Sequence, residues 1–214
     1  MMNHELPPLV RIVDDEETVR NSERFIFSII GLESVTYASA EEFLEKDDPK
    51  RPGCIVLDVR MQGMSGLELQ QALMTKGNDL PIVFLSGHGT VNTAVFALKR
   101  GAYDFLEKPV KPEKLQKIVQ DLIVRNIQER RIKAKNQEIQ KRYDTLTERE
   151  RDVIAMVARG ALNKQIAFEL GIAEHTVKIH RGNALFKLQI RSAVDAYESL
   201  CAIGIIKPEV GACK

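Results

Sequence analysis

Hydrophobic positions divide the chain into regions of different periodicity. Over roughly the first 110 residues, short apolar runs alternate with longer stretches in which apolar residues recur every three or four positions. The short runs are rich in β-branched residues and are bounded by turn residues, which is typical of buried strands. They predict five strands, at residues 9–13, 35–37, 54–58, 81–86 and 103–106.

The stretches between these runs have the period of helices. They predict helices at residues 16–30, 40–46, 65–75 and 90–100, and a further helix that begins near Pro112. Strands that alternate with helices form a parallel sheet with helices on both faces. We therefore predict an α/β fold for this region, a doubly wound five-stranded parallel sheet.

A long helical pattern follows, at residues 112–143. Its first half carries an apolar stripe, whereas residues 125–142 are mostly polar, with Ile132 and Ile139 seven positions apart. A polar helix with sparse apolar residues is typical of a solvated linker or of a weak coiled-coil seam. We favour a helical linker and keep a dimerising seam as the alternative.

Beyond Leu146 the pattern predicts short helices only. Thr147 and Glu150 have the spacing of a capping box, which predicts a helix that ends at Gly160. Gly171 can supply the positive φ of a tight turn between two helices. The predicted domains are 1–124, a linker at 125–144, and a small all-α helix-turn-helix domain at 145–214. Its remaining helices are predicted at 163–170, 174–188 and 192–203.

Charge separates the two halves more clearly than the overall charge of +1 indicates. Residues 1–110 hold 11 basic and 17 acidic side chains, a net charge of −6, whereas residues 111–214 hold 20 and 13, a net charge of +7. A basic half favours a polyanionic partner, although chance segregation of surface charge would give the same count. Three cysteines without a CxxC spacing, and no long apolar run, favour a cytoplasmic protein that does not span a membrane.

Polar side chains follow the predicted strands at the edge where a parallel sheet binds its ligands. Asp14 and Asp15 follow the first strand, Asp58 ends the third, Ser86 ends the fourth and Lys108 follows the fifth. Crowded carboxylates favour a bound cation, and an all-oxygen set suits Mg²⁺. Lys108 and Ser86 could then hold phosphoryl oxygens, with Asp58 as the nucleophile that accepts a phosphoryl group.

The spacing of these residues, with the strings VDDEE, LDVRMQGMSGLEL and LSGHGTVNTAVFALKRGAYDFLEKP, resembles the receiver domains of bacterial two-component response regulators. The resemblance covers residues 7–125 and implies a flavodoxin-like receiver that is phosphorylated on Asp58. It also implies that the backbone carbonyl of Arg60 joins Asp14, Asp15 and Asp58 around Mg²⁺. Phe105 stands at the switch-aromatic position, and the Lys108–Pro109 bond is expected to be cis. After the residue that matches Met61 the family usually has a proline, and here that position is Gln62. We expect this difference to alter the rigidity of the loop that follows Asp58.

The string LTERERDVIAMVARGALNKQIAFELGIAEHTVKIHRGNALFKLQIRS looks like the helix-turn-helix of the FixJ/NarL/LuxR group, and its pairing with this receiver type most resembles FixJ-like regulators. This implies that residues 174–188 are the recognition helix. Two departures are Ala173 at the N-cap and Gly182 within the helix. The resemblance implies that Lys178, Ile179 and Gly182 face the major groove and that other residues approach phosphates, namely Lys164, Thr176, Arg181, Asn183 and Lys187.

The function implied is a phosphorylation-dependent transcriptional regulator that is not an enzyme. Its expected partners are a sensor histidine kinase, double-stranded DNA and, on phosphorylation, a second copy of the chain. Dimerisation is expected through residues 89–106 or through the last helix. Two alternatives stay open: a phosphoaspartate hydrolase acting on small molecules, and a DNA-binding regulator whose receiver only dimerises.

Overall fold

A computed structural model describes residues 6–87 and 90–207 of the chain. The chain divides after Arg130 into two compact units. The elements of the first unit are β1 (Leu9–Val13), α1 (Glu17–Ile29), β2 (Ser34–Tyr37), α2 (Ala40–Lys46), β3 (Gly53–Asp58), α3 (Gly66–Thr75), β4 (Ile82–Ser86), α4 (Val91–Lys99) and β5 (Asp104–Glu107). Helix α5 (Pro112–Asp144) runs across the division as one continuous element.

The five strands form one parallel sheet in the order β2-β1-β3-β4-β5. The predicted α/β architecture is therefore confirmed, and the strand bounds differ from the predicted ones by a residue or so. Strand β1 lies between β2 and β3, and every residue of β1, β3 and β4 is buried. Burial on both faces is why these strands read as continuous apolar runs in the sequence.

Side chains that alternate along the strands fill two separate cores, one on each face of the sheet. Ile55, Leu57 and Phe84 pack on one face. Their strand neighbours Val56 and Val83 pack on the other, against the first turns of α5. Successive strand residues point to opposite faces, so each core receives every second residue.

Arg11 is a charged exception within this apolar sheet. It lies in β1, is fully buried, and its Nε donates to Asp47 Oδ1 at 2.6 Å. Its remaining donors bind the backbone carbonyls of Leu9, Asp48 and Arg51. A buried guanidinium is tolerated only when its charge and its donors are satisfied in this way.

Helix α5 is fixed to the sheet by polar contacts beyond its apolar first turns. The side chain of Asn126 is fully buried; its oxygen accepts from the Gly53 amide at 3.0 Å and its nitrogen donates to the Asp79 carbonyl at 2.8 Å. One turn later, Arg130 donates to the Asp79 carboxylate and to the carbonyls of Pro49 and Lys50. These contacts hold the middle of α5 against the amino ends of β3 and β4.

The second unit contains the end of α5 and four further helices: α6 (Glu148–Ala158), α7 (Asn163–Leu170), α8 (Glu174–Leu188) and α9 (Ala193–Ala202). The predicted capping box is confirmed, because Thr147 N donates to Glu150 Oε2 at 2.8 Å and Glu150 N donates to Thr147 Oγ1 at 3.3 Å. Gly171 ends α7 at φ 63°, in the left-handed conformation that the turn before α8 requires. This small all-α unit was predicted.

Two of the three cysteines lie in the described residues, Cys54 buried and Cys201 half-buried, and both are free thiols. Cys213 lies outside them. Across residues 6–87 and 90–207, none of the helices combines the length and the apolar character that crossing a bilayer demands.

Candidate functional site

Four strand ends bring the predicted site residues together at the carboxyl edge of the sheet. Asp14 follows β1, Asp58 and Ser86 are the last residues of β3 and β4, and Lys108 follows β5. Asp14, Asp58 and Ser86 are buried, although all three are polar. The Lys108 amide donates to the Ser86 carbonyl at 2.9 Å, which extends the pairing of β4 and β5 into the site.

Lys108 bridges the two buried carboxylates. Its ammonium nitrogen lies 2.6 Å from Asp14 Oδ2 and 2.7 Å from Asp58 Oδ1. Burial alone would lower the pKa of Lys108, but the hydrogen bonds to Asp14 and Asp58 outweigh it and raise that pKa. The lysine therefore stays charged and offsets the repulsion between the two aspartates.

Backbone amides hold the other carboxylate oxygens. The Glu16 amide donates to Asp14 Oδ1 at 2.8 Å, and the Arg60 amide donates to Asp58 Oδ2 at 2.6 Å. Asp15 is exposed, and its Oδ2 accepts from the Gln62 amide at 3.1 Å. The carboxylates thus order both loops of the site. Gln62 contributes through its backbone N–H, a donor that the proline usual in the family would lack.

The loop after Asp58 returns closely onto it. A Cβ atom on Gly66, the first residue of α3, would lie 2.0 Å from the carbonyl oxygen of Asp58. Ser65 caps α3 by accepting from the Glu68 amide, and Glu68 Oε2 accepts from the Ser65 amide at 2.8 Å. The cap and the bare glycine together fix where α3 begins relative to Asp58.

Within the described residues, no three His, Cys, Asp or Glu side chains are grouped as they would be around a metal ion. The Lys108 ammonium instead bridges Asp14 and Asp58, within 2.7 Å of an oxygen of each. The carboxylate oxygens of Asp14 and Asp58 are nevertheless ligands of the kind that Mg²⁺ prefers. The donor set fits a hard divalent cation once the ammonium is displaced from between the carboxylates.

Glu23, which was not predicted as a site residue, is a fourth acidic group near the site. It lies on the buried side of α1 with Phe27. Burial raises the pKa of Glu23 to about 8; the nearby charge of Lys108 lowers it, and those of Asp14 and Asp58 raise it. The sequence signal was a glutamate four positions before a core phenylalanine, on the apolar face of the helix.

Phe105, the predicted switch aromatic, lies in β5 and is partly buried. Its ring centroid is 6.1 Å from that of Phe84, and it packs against the core that also contains Ala97 of α4. The Lys108–Pro109 bond is cis, as the resemblance implied.

A second set of predicted residues lies in the helical unit. Helix α8 buries Val177, Ala184 and Leu188, which leaves its opposite side in solvent. The predicted DNA-contacting residues are exposed or partly exposed; they are Lys164 on α7 and Thr176, Lys178, Ile179, Arg181, Gly182, Asn183 and Lys187 on α8. Ala173 precedes α8 without a side-chain cap, as expected from its sequence.

Two of these cations already have partners within the helical unit. Lys187 Nζ donates to Glu150 Oε2 at 2.7 Å and to the Thr145 carbonyl at 3.4 Å. Arg181 donates to Asn163 Oδ1 at 3.2 Å, which joins α8 to the start of α7. A phosphate would therefore compete with Glu150 for the ammonium of Lys187.

Family models match both units. The response regulator receiver domain matches residues 10–120, and the luxR family of bacterial regulatory proteins matches residues 144–200. The chain belongs to the FixJ/LuxR family of response regulators. This response regulator is therefore a phosphorylation-dependent regulator of transcription, and its family is not one of classical enzymes.

Relatives of this response regulator match it over most of their length. Nodulation protein W of Bradyrhizobium diazoefficiens is 39% identical over 92% of this chain and 87% of its own. The transcriptional regulatory protein FixJ of Azorhizobium caulinodans is 37% identical over 92% of this chain and 93% of its own. The solved structure of the response regulator StyR is 40% identical, with a TM-score of 0.81 over 91% of this chain and 98% of that chain.

Proposed function

We propose that Asp58 accepts a phosphoryl group from a phosphohistidine of a sensor kinase. A carboxylate oxygen of Asp58 forms the new bond to phosphorus, and the bond between phosphorus and the imidazole nitrogen breaks. The observation that carries this proposal is the position of Asp58 at the carboxyl edge, 2.7 Å from the ammonium of Lys108. A cation at this distance can neutralise charge on the transferred oxygens.

The acidic residues would hold Mg²⁺ through Asp14, Asp58 and the Arg60 carbonyl, with Asp15 acting directly or through water. When bound, the ion supplies positive charge that stabilises the phosphoryl oxygens. Ser86 and Lys108 would bind the remaining phosphoryl oxygens through a hydroxyl and an ammonium donor. Lys108 would then exchange its present partner, Asp14, for the new anion.

A phosphoryl group on Asp58 would act on the face formed by α4 and β5. Ser86 moves towards the anion, and Phe105 turns into the space left behind. Four apolar side chains on this face, at Val91, Val95, Phe96 and Tyr103, are exposed. A second copy of the chain would cover them, and a paired DNA-binding unit would gain affinity through linkage of two weak contacts.

We further propose that α8 enters the major groove of DNA, with Lys178, Ile179 and Gly182 near the bases. Lys164, Thr176, Arg181, Asn183 and Lys187 would approach phosphates. Contacts of the first kind specify sequence, and those of the second supply affinity. The domain limits 1–124, 125–144 and 145–214 and a cytoplasmic location, where chromosomal DNA is accessible, belong to the same proposal.

Radiolabelled acetyl phosphate with Mg²⁺ tests the assignment of Asp58. The wild-type chain should take up label that hydroxylamine releases, as it does from an acyl phosphate, and Asp58→Asn should take up none. Asp121→Asn is the matched control, because Asp121 is an exposed carboxylate on α5. Equal labelling of all three chains would reject Asp58 as the acceptor.

Analytical ultracentrifugation tests the coupling to dimerisation. Beryllofluoride, a phosphoryl mimic, should convert the wild-type chain to a dimer and raise its affinity for DNA selected from a random pool. A chain that binds this DNA equally well with and without the mimic would instead support a phosphorylation-independent regulator. Multiple turnover of a phosphorylated metabolite would support the hydrolase alternative.

A further inference from the structure

The solvent side of α8 carries an apolar surface that is not needed for the core of the helical unit. Ile179 is 48% exposed and Phe186 is 85% exposed, while Val177, Ala184 and Leu188 fill the core on the opposite side. Ile179, Gly182 and Phe186 are spaced by three and four residues, so they share one face of the helix, with the exposed polar residues His175 and Asn183 beside them. We call these three residues the α8 apolar face.

Gly182 is the centre of this face, and the fold does not require a glycine there. A Cβ atom at this position would meet nothing within 4 Å, and the residue has no positive φ. Glycine within a helix nevertheless costs about 1 kcal/mol relative to alanine. Neither packing nor backbone conformation therefore explains why position 182 is a glycine. Because glycine has no side chain, it leaves a gap between the exposed side chains of Ile179 and Phe186.

Cations surround this surface. Lys178 is exposed beside Ile179, Arg181 is partly exposed, and Lys164 is exposed on the neighbouring helix α7. An apolar strip with cations around it is complementary to the DNA major groove, where phosphates line the rims and thymine methyl groups project from the base edges. The net charge of +7 over residues 111–214 favours the same polyanionic partner.

We propose that the α8 apolar face recognises the C5 methyl groups of thymine, with one methyl seated in the gap at Gly182. This inference rests on the proposed insertion of α8 into the major groove, and it adds the chemical group that is read there. At 1.5 Å per residue, the seven positions from Ile179 to Phe186 span about 10 Å, or roughly three base pairs. The operator should therefore hold one or more thymines within a short central segment of each half-site.

The test begins with a duplex selected from a random pool by the full-length chain in the presence of beryllofluoride. Each thymine is then replaced by uracil, which lacks only the C5 methyl group. We expect one or two positions to weaken binding about fourfold each, the effect of losing one buried methyl group, and the others to change little. At the same positions, thymine can also be replaced by cytosine or by 5-methylcytosine, which carries the C5 methyl group. The 5-methylcytosine duplex should bind more tightly than the otherwise identical cytosine duplex.

Variants connect the methyl groups to the α8 apolar face. Ile179→Ala and Phe186→Ala should reduce the difference between thymine and uracil duplexes. Phe168→Ala is the matched control, because Phe168 is 89% exposed but lies on α7, outside this face. Gly182→Ala should raise the thermal stability of the chain and yet weaken binding to the selected duplex, two effects of opposite sign that a purely structural glycine would not give.

The outcomes separate this inference from the proposed function. Enrichment of a sequence whose binding ignores uracil substitution would overturn the methyl-reading role and leave DNA binding intact. Failure to enrich any sequence would overturn both. Loss of transcription by Phe186→Ala with unchanged DNA affinity would assign the face to a protein partner and would also overturn the inference.

Discussion

Lys108 and Asp58 are hydrogen-bonded directly, with 2.7 Å between the ammonium nitrogen and Oδ1. The same ammonium binds Asp14, so a single cation offsets two buried carboxylates. A divalent ion that uses these carboxylates must therefore displace the lysine or share them with it. Under the proposed function, the affinity of the site for Mg²⁺ would be a balance between two cations that compete for the same oxygens.

Replacing Lys108 by methionine should shift this balance towards Mg²⁺. Without metal, Lys108→Met should be less stable than the wild type, because Asp14 and Asp58 repel each other. Added Mg²⁺ should then raise its melting temperature more than that of the wild type, since ligand-linked stability grows with affinity. Lys114→Met, which removes an exposed lysine at the start of α5, is the control. An identical Mg²⁺ response in all three chains would contradict the competition.

Glu23 should make the receiver less stable as pH rises. Its pKa is raised to about 8 in the folded state, above the ordinary 4.5, so its contribution to stability is fully present below pH 4.5 and is lost as pH rises towards 8. Glu23→Gln should therefore match the wild type near pH 4 and exceed it at pH 8, by up to about 4 kcal/mol at 1.4 kcal/mol per pKa unit. Denaturant unfolding in EDTA measures this difference. Glu17→Gln, an exposed glutamate of the same helix, should show no such divergence.

Glu150 should have the opposite pH dependence in the helical unit. Burial alone would raise its pKa, but the bonds from Lys187 and from Thr147 outweigh burial and lower it. Glu150 thus adds stability above its ordinary pKa of 4.5 and loses it as pH falls through the lowered value. Glu150→Gln keeps a capping acceptor but loses the charge, so we expect a loss of about 1 kcal/mol at pH 7 that disappears in acid.

A double-mutant cycle assigns the Glu150 effect to its partner. Glu150→Gln and Lys187→Met should be non-additive in unfolding experiments at pH 7, because each removes the same ion pair. Glu148→Gln alters an exposed residue of the same helical turn and should couple weakly with Lys187→Met. Additive effects of Glu150 and Lys187 would show that their contact contributes nothing to stability.

Asn126 should contribute to receiver stability, although it lies in a mostly polar stretch that the sequence predicts to be a linker. Asn126→Ala would leave the buried Gly53 amide without its partner, at about 1–3 kcal/mol, and would also remove the bond to the more exposed Asp79 carbonyl. A fragment that stops at residue 124 should suffer the same loss, together with the loss of the Arg130 contacts. Hydrogen exchange at the start of β3 would measure it, with a fragment that ends at residue 130 as the control.

Much of the receiver site could be predicted because local pattern and topology agree. Asp14, Asp58 and Ser86 each follow a short apolar run, and the carboxyl ends of parallel strands meet at one edge. Their convergence thus needed only the strand assignment. The Thr147–Glu150 box and the turn at Gly171 were equally predictable, since each depends on residues a few positions apart.

The remaining features depend on contacts between residues distant in sequence. Lys187 was predicted as a phosphate contact, and its bond to Glu150 crosses 37 positions. The Asn126 side chain reaches Gly53 across 73 positions from a stretch that reads as a polar linker. Glu23 differs from an exposed helical glutamate only through what packs on it. Periodicity indicates which face of a helix is apolar, but it does not name the partner on that face.

The short approach between Gly66 and the carbonyl of Asp58 has a consequence for redesign of this receiver. The side chain at position 62 could be exchanged to retune how long the phosphorylated state lasts, because it is exposed and the contact with Asp15 uses the backbone N–H of this residue. Any side chain at position 66 would instead clash with the backbone carbonyl of the acceptor residue and force the backbone there to shift. Variant libraries that aim to lengthen or shorten the lifetime of the phosphorylated state should therefore vary the loop and keep Gly66 unchanged.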